Sequence, residues 1–481
     1  MGAEKYYLAV DIGASSGRHI LFHMESGKIV MEEIYRFHNG NDITVCEDGR
    51  KHRVWDMERL FNEVVNGLIE CKKQGKIPYS MGIDTWAVDY VLLDENDKRI
   101  GPCYAYRDDR TSGMDEEVYK VISEEKLYAR TGIQKQIFNT IYQLMADAKN
   151  EPDRLKKAES FLMVPDYLDF LLTGQKFQEY TNATTTGLVS PETCEWDREL
   201  IELLGFPSKL FTKLSMPGTE VGELSAEIQK KVGFNTKVIL CATHDTGSAV
   251  MSIPYTEEED TESDTLYISS GTWSLMGTEL KRASSGEKEY KANFTNEGGY
   301  DKRFRFLKNI MGLWMIQEAQ REFVKNDPDG VWDFGSMCDR AMKQDIKSTV
   351  DCNSDVFLAP ESMAAAVQSE CRNSGEQVPE TPDEIASVIY NSLAECYAST
   401  VKEIENITGK HYSVIHIVGG GSKAEGLNIL TARASGKKVI AGPAEATAIG
   451  NAGAQMIKDH VFSDLTAFRR CIYSSFGVKT F

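Results

Sequence analysis

Tyr7-Leu-Ala-Val-Asp-Ile-Gly-Ala-Ser-Ser-Gly-Arg-His-Ile-Leu-Phe22 reads as an apolar strand ending in an acid, a turn of small residues, and a second strand. The turn from Gly13 to Gly17 carries two hydroxyls and little side-chain bulk. Successive backbone N–H groups in such a turn can converge on an anion, so a phosphate site is one reading. An ordinary hairpin with a polar loop is the other. Asp11, just before the turn, cannot bind phosphate directly because both are negative. It can hold a magnesium ion, or the ion's waters, against one. The pattern G-x-x-x-x-G-K-[ST] is absent, so a nucleotide site here is not of the P-loop kind.

A chain of 481 residues exceeds one typical core, which points to two domains or more. Its 41% hydrophobic and 26% charged residues are ordinary for a globular protein. The net charge of −19 disfavours nucleic acid or an anionic membrane as partner. An anionic nucleotide then needs locally placed cations, amides and a metal. The opening Met-Gly-Ala-Glu-Lys-Tyr-Tyr lacks the pattern of a secretory leader, and no apolar run has spanning length. A cytoplasmic location is the expectation. Ten cysteines are scattered with no C-x-x-C, so free thiols are expected, with Cys352 and Cys371 as the pair to examine for a disulfide. The histidines show no metal-type spacing, and His411 and His416, flanking a strand-like segment, read as structural.

Strands are expected over residues 6–11, 19–23 and 29–37. A helix follows from about Met57, capped by Asp56, with Leu60, Phe61, Val64, Val65, Leu68 and Ile69 on one face. Residues 80–93 read as a strand, and 123–174 mainly as helices punctuated by Pro165 and Gly174. An apolar strand at 238–242 runs into Thr243-His-Asp-Thr-Gly247. After an acidic, solvated stretch at 256–264, residues 265–276 repeat the strand–turn–strand of the opening. A long helix at 382–408 carries Ile385, Val388, Ile389, Leu393, Cys396, Val401 and Ile404 at helical spacing. A strand at 414–418 enters Gly419-Gly-Gly-Ser422. A helix, a strand at 438–441 and a final helix opening near Glu445 complete the order. Strands and helices recur in this order in both halves, which suggests two α/β domains, 1–248 and 249–481, facing each other across a cleft.

The motifs at 11–18, 82–89 (Gly-Ile-Asp-Thr-Trp-Ala-Val-Asp), 180–186 (Tyr-Thr-Asn-Ala-Thr-Thr-Thr) and 244–246 (His-Asp-Thr) together resemble the FGGY family of carbohydrate kinases. So do those at 269–277, 296–299 (Asn-Glu-Gly-Gly), 307–314, 416–421 (His-Ile-Val-Gly-Gly-Gly) and 441–446. The resemblance implies two RNase H-like domains of the actin and heat-shock ATPase type flanking a central cleft. It also implies ATP and Mg²⁺, with phosphoryl transfer to the 1-hydroxyl of L-rhamnulose in L-rhamnose catabolism. Another ketose, such as L-fuculose or a xylulose-type sugar, is the alternative. Partners are then the sugar and ATP, on a monomer or homodimer.

Asp245 follows an apolar strand, where functional groups of α/β sheets collect, and suits the proton acceptor. A helix cap is its other reading. His244 and Thr246 resemble sugar-contact positions; a buried structural histidine is the alternative for His244. Ala14, Ser15, Ser16, Gly17 and Arg18 resemble the first phosphate loop, and Thr272 belongs to the second. Arg18 can instead pair with an acid. Gly420 and Gly421 match the adenosine loop, where absent side chains admit a flat base, and Gln317 matches a nucleotide contact. On the sugar side stand Asp84, Trp86, Asn309 and the position of Ala87, with Asp11 toward the metal. Asp84 and Trp86, two apart on a strand, are expected to share a face, leaving Asp89 on the other. Arg107, Asp108 and Arg110 read equally as an ion-pair network. Members of the family acting on L-rhamnulose usually carry glycine where this chain has Ala87, and one methyl there can trim the pocket. A nucleotide-switched interaction protein and a sugar-sensing regulator are the rival classes; both lack a segment to house their further domain.

Overall fold

A computed structural model describes residues 5–46, 49–260 and 263–481. The first four residues of the opening read above, and Thr261 and Glu262 of the acidic stretch, lie outside the described residues. Contacts gather the chain into two units. The first comprises Met1–Ser252, Leu280–Phe306 and Thr447–Ser475; the second comprises Ile253–Glu279, Leu307–Ala446 and Phe476–Phe481. Two segments beyond residue 248 therefore pack with the N-terminal part.

The first unit is built on a six-stranded sheet. Its strands are β1 (Tyr6–Ile12), β2 (Ser16–Glu25), β3 (Lys28–His38), β4 (Pro78–Thr85), β5 (Glu220–Glu223) and β6 (Lys237–Ile239), in the order β5-β6-β4-β1-β2-β3. β1 is buried along nearly its whole length, as a central strand covered on both faces must be. It pairs antiparallel with β2 and parallel with β4, and β6 pairs parallel with β4. Helix α1 (Met57–Lys73) starts where expected: the Asp56 carboxylate accepts from the Arg59 amide at 2.9 Å. It buries Leu60, Val64, Val65 and Leu68, with Phe61 and Ile69 at the margin.

Several expectations are corrected. β2 begins at Ser16, so Ser16, Gly17 and Arg18 belong to the strand and the turn is shorter than the sequence suggested. A Cβ on Gly17 would lie 2.1 Å from the Phe37 ring, so that glycine serves packing. The strand expected over 80–93 breaks at Thr85. Residues 86–89 bend, with Val88 at φ 68°, and the chain resumes as Tyr90–Leu93 paired with Ser160–Met163 in a different sheet. That strand also interrupts the helices of 123–174, whose expected punctuation holds: Pro165 enters the helix Val164–Thr173 and Gly174 ends it in left-handed conformation. The helix opening at Ala446 is not the last, since Leu465–Ser475 follows it. All ten cysteines are free. The neighbour of the Cys352 thiol is the Cys396 thiol, in hydrogen-bond contact, rather than Cys371, which lies on the helix Met363–Ser374.

In the second unit, β7 (Leu266–Ser270) turns back into β8 (Ser274–Leu280). β9 (Phe304–Ile310), β10 (Val414–Val418), β11 (Lys438–Ala441) and β12 (Lys479–Thr480) give the order β9-β8-β7-β10-β11-β12, six strands of a seven-stranded sheet, and Phe304–Phe306 of β9 count with the first unit. β7, β10 and β11 run parallel. The helix Pro382–Thr408 opens with a capping box between Thr381 and Glu384 and buries the expected apolar face, except that Cys396 is half-buried. Among the described residues no helix is long and apolar enough to cross a membrane.

The helix Ala446–Lys458 lies on the first unit's sheet, where Gln455 donates to the Leu8 carbonyl and accepts from the Ser80 hydroxyl. Gly450 there admits the backbone of the segment that follows His244: a Cβ would fall 1.8 Å from the Ser248 carbonyl oxygen. Gly450→Ala is therefore expected to lower the urea-unfolding stability by about 1–3 kcal/mol, the usual cost of overpacking. An unchanged midpoint would contradict the close approach.

Candidate active site

Three neighbouring parallel segments of the first unit end together. Asp11 and Asp84 are register partners at the ends of β1 and β4. The chain beyond β6 continues alongside β4, where the Thr85 amide donates to the Thr243 carbonyl at 2.9 Å and Thr85 bridges His244. Asp245 then opens the helix α2 (Asp245–Met251), with His244 at its N-cap. Three carboxylates thus collect at the C-terminal ends of parallel strands, the usual place for function in such sheets.

Their environments differ. Asp84 is wholly buried; the Asn451 side-chain amide donates to one oxygen at 2.6 Å and the other has no hydrogen-bond partner. Burial, then the charge of Asp11, holds its carboxyl well above the usual range. Asp11 faces Arg18, whose Nη2 lies 2.6 Å from it across the β1–β2 ladder. Asp245 keeps 32% of its side-chain surface open and accepts from the Thr246 amide at 2.6 Å. Burial first and Asp11 second raise its pKa to about 7. A carboxylate with that affinity can take up and release a proton near neutrality.

The segment 86–89 does not keep the expected parity, because the strand has ended. Asp89, expected to be the weaker contact, is a buried hub that accepts from Trp55 Nε1 (2.7 Å), Trp86 Nε1 (2.8 Å), the Tyr106 amide (3.0 Å) and Gln143 Nε2 (3.0 Å). Burial raises its pKa to about 6 against those donors. The Trp86 ring packs on Trp55 with centroids 4.0 Å apart and is only 6% exposed. Of residues 81–93, Ala87 alone keeps open surface. Buried Glu179 accepts from the amides of Thr181 and Asn182 and from the Thr243 hydroxyl, which ties the threonine-rich motif at 180–186 to the strand end before His244.

A fully buried arginine that the sequence did not single out completes this end of the unit. Arg305 Nη1 donates to Thr246 Oγ1 at 2.6 Å, Nη2 lies 3.1 Å from His244 Nδ1, and Nε donates to the Gly298 carbonyl at 3.0 Å. Glu297 lies 3.1 Å from Nη1 and offsets the charge. Burial, then Arg305, holds His244 well below the ordinary histidine pKa. Glu297 lay inside a motif that was noted, but Arg305 carried no local signal; only the folded chain brings β9 beside α2.

Two members of the mixed-charge cluster, Asp108 and Arg110, are bound into networks, while exposed Arg107 meets the Tyr106 hydroxyl at 3.2 Å. Arg110 pairs with buried Asp147 at 2.6 Å, and Asp108 accepts from His52 Nδ1 and from the Arg53 and Arg110 amides. Among the described residues only His52, Asp108 and Asp109 bring three metal-ligand atoms within 4.8 Å of one another. The donors already on Asp108 explain that grouping without an ion. His416 bonds Glu259 at 3.0 Å within the second unit, and exposed His411 lies 3.0 Å from Glu405.

In the second unit the β7–β8 turn leaves Thr272 exposed, with Oγ1 3.4 Å from Gln317 Oε1. Gly312 at φ 58° permits this approach, since a Cβ would lie 2.5 Å from the Ser274 amide. The glycines after β10 divide their work. Side chains on Gly419 or Gly421 would strike Ser270, whereas Gly420 is exposed and faces nothing within 4 Å. Of the three, Gly420 has the most open backbone. Asn309 is half-buried on β9 of the same unit.

Solved structures share this architecture throughout. Gluconate kinase from Lactobacillus acidophilus aligns over 99% of this chain and 93% of its own with a TM-score of 0.77 at 16% identity. The xylulose kinase of the same organism aligns over 99% and 92% with a TM-score of 0.76 at 17% identity. The chain shares the fold of these two kinases. The models of the FGGY family of carbohydrate kinases match residues 6–252 (N-terminal domain) and 266–458 (C-terminal domain), and the chain belongs to that family. Among its relatives, the rhamnulokinase of Oceanobacillus iheyensis is 48% identical over 98% of this chain and 97% of its own. That of Halalkalibacterium halodurans is 48% identical over 99% and 98%.

An unfolded aspartate titrates near ~3.9, so the folded chain binds more protons than the unfolded one from about pH 4 to pH 7. Stability contributed at Asp245 therefore falls as pH rises through that window. Asp245→Asn is expected to unfold at higher urea than the wild type at pH 8, by about 1–2 kcal/mol because the carboxyl is partly solvated, and to match it at pH 4. Equal or lower stability at pH 8 would contradict the raised affinity.

Proposed function

We propose that the protein transfers the γ-phosphoryl group of ATP to the 1-hydroxyl of L-rhamnulose, a step in the breakdown of L-rhamnose. The observation that carries this reading is the 48% identity, over nearly the whole length of both chains, to two rhamnulokinases. Asp245 takes the hydroxyl proton as the new oxygen–phosphorus bond forms and the bond to ADP breaks. Its raised pKa leaves it partly ionised at neutral pH and able to hold the proton afterwards. His244, Thr246 and the open surface at Ala87 line the sugar, while Asp84 and Trp86 act from behind. The Ala87 methyl trims the pocket on a scale worth about 1–3 kcal/mol of discrimination between ketoses.

In the first unit we assign the turn at Ala14–Ser15, with Ser16, Gly17 and Arg18 on the strand behind it, to the ATP phosphates. In the second we assign Thr272, Gln317, Gly420 and Gly421 to the nucleotide and Asn309 to the sugar. Magnesium fits the chemistry of the first unit: the charge of Asp11 adds to the cost of charging buried Asp84 and Asp245, and among the described residues Asp84 keeps an oxygen with no donor. Asp11 would hold it, and it would offset phosphate charge. We place the protein in the cytoplasm, where ten free thiols persist.

Incubation with ATP, Mg²⁺ and a ketose panel, read by mass spectrometry, is expected to give phosphorylated L-rhamnulose, with kcat/KM at least tenfold above L-fuculose or xylulose. Preference for another ketose would move the substrate assignment. Asp245→Asn is expected to lower kcat roughly 10²–10⁴-fold while ATP affinity stays within about twofold. Near-normal turnover would remove Asp245 from the proton transfer.

A further inference from the structure

We propose that Arg305 is a positioning residue that fixes the hydrogen-bond polarity of residues 244–246, presenting an acceptor at Asp245 and a donor at Thr246 to the sugar hydroxyls. The inference rests on the sugar-site reading above. An arginine side chain can only donate. The Arg305 N–H groups are aimed at Gly298 O, Thr246 Oγ1 and His244 Nδ1, with Glu297 beside them. Nδ1 of His244 must then be the accepting nitrogen, so the ring carries its proton on Nε2. Thr246 Oγ1 accepts from Arg305 at 2.6 Å and from His244 Nε2–H at 3.0 Å, which leaves its hydroxyl hydrogen to point elsewhere. Between them the Asp245 carboxylate accepts.

The competing arrangement places the proton on Nδ1 and donates it to Glu297, 3.4 Å away. Arg305 is closer, at 3.1 Å, and its approach is that of a hydrogen bond. The charged groups facing the ring are Asp245 on its own helix, at 3.4 Å from Nε2, Glu297 on the strand Thr295–Gly298, and Arg305 on β9. Helix 180–184 contributes only the uncharged Thr181 hydroxyl, to the His244 amide. The wholly buried guanidinium disfavours a second positive charge on the imidazole, and His244 stays neutral where an ordinary histidine would titrate. A fixed neutral tautomer supplies directional discrimination, because a site built to donate rejects a sugar that offers no acceptor there.

The direct test is nitrogen-15 NMR of His244 in the sugar-free wild-type protein, its resonance assigned with His244→Gln. The expected result is the neutral Nε2–H tautomer from pH 8 down to pH 5. An Nδ1–H tautomer, or an imidazolium forming near pH 6.5, would overturn the proposal. This measurement needs no turnover, so its failure is separate from failure of the substrate assignment. The second test is Arg305→Lys, which keeps the charge but loses the fork. It is expected to raise KM for L-rhamnulose tenfold or more, to leave KM for ATP within twofold, and to add an ionisation near 6 to the acid limb of kcat/KM. A variant that folds with an unchanged sugar KM and pH profile would also overturn the proposal.

Discussion

Mutual repulsion among carboxylates held at the ends of parallel strands is the constraint on which the first unit depends. β1 and β4 align Asp11 with Asp84, and the chain after β6 adds Asp245 beside them. No unfolded chain would gather three acids this way. The fold imposes it through ladder hydrogen bonds, the Gly450 approach that admits the backbone at Ser248, and the Asn451 bond to Asp84. Burial first and this repulsion second raise the proton affinities of Asp84 and Asp245, the latter to about 7.

The same end of the unit is stabilised by polar groups that act at one remove. Glu179 bonds the Thr243 hydroxyl and the amides of the helix that follows it. Asp89 gathers two indoles, an amide N–H and a glutamine. Arg305 with Glu297 braces His244 and Thr246. Each is buried and bonded, as low-dielectric surroundings require, and together they hold residues 244–246 with little freedom. The open surface is left to Asp245, Thr246 and Ala87.

Much of this was legible in the chain. The apolar runs ending in Asp11 and before His244 announced strands, and Asp56 announced a helix start, because period and capping are local properties. The course of residues 86–89 was not legible. Nothing in Asp-Thr-Trp-Ala-Val-Asp says that Val88 turns left-handed, which moves Asp89 from an expected far face to the centre of a hydrogen-bond hub. Gly17, read as a phosphate-loop glycine, also leaves the room that the Phe37 ring fills, which the local sequence did not announce. Cys352 looked like a partner for Cys371 and meets Cys396, since loop residues find neighbours that sequence distance does not encode. Arg305 was silent for the same reason: its partners lie 59 and 61 residues away along the chain.

The site's premise is that Asp245 shares a crowded field with Asp11. Carbon-13 NMR titration of the Asp245 carboxyl in the ligand-free protein measures this directly. A midpoint near 7 that drops when Asp11 is replaced by asparagine is the expected result. A midpoint near 4, unmoved by that replacement, would contradict it.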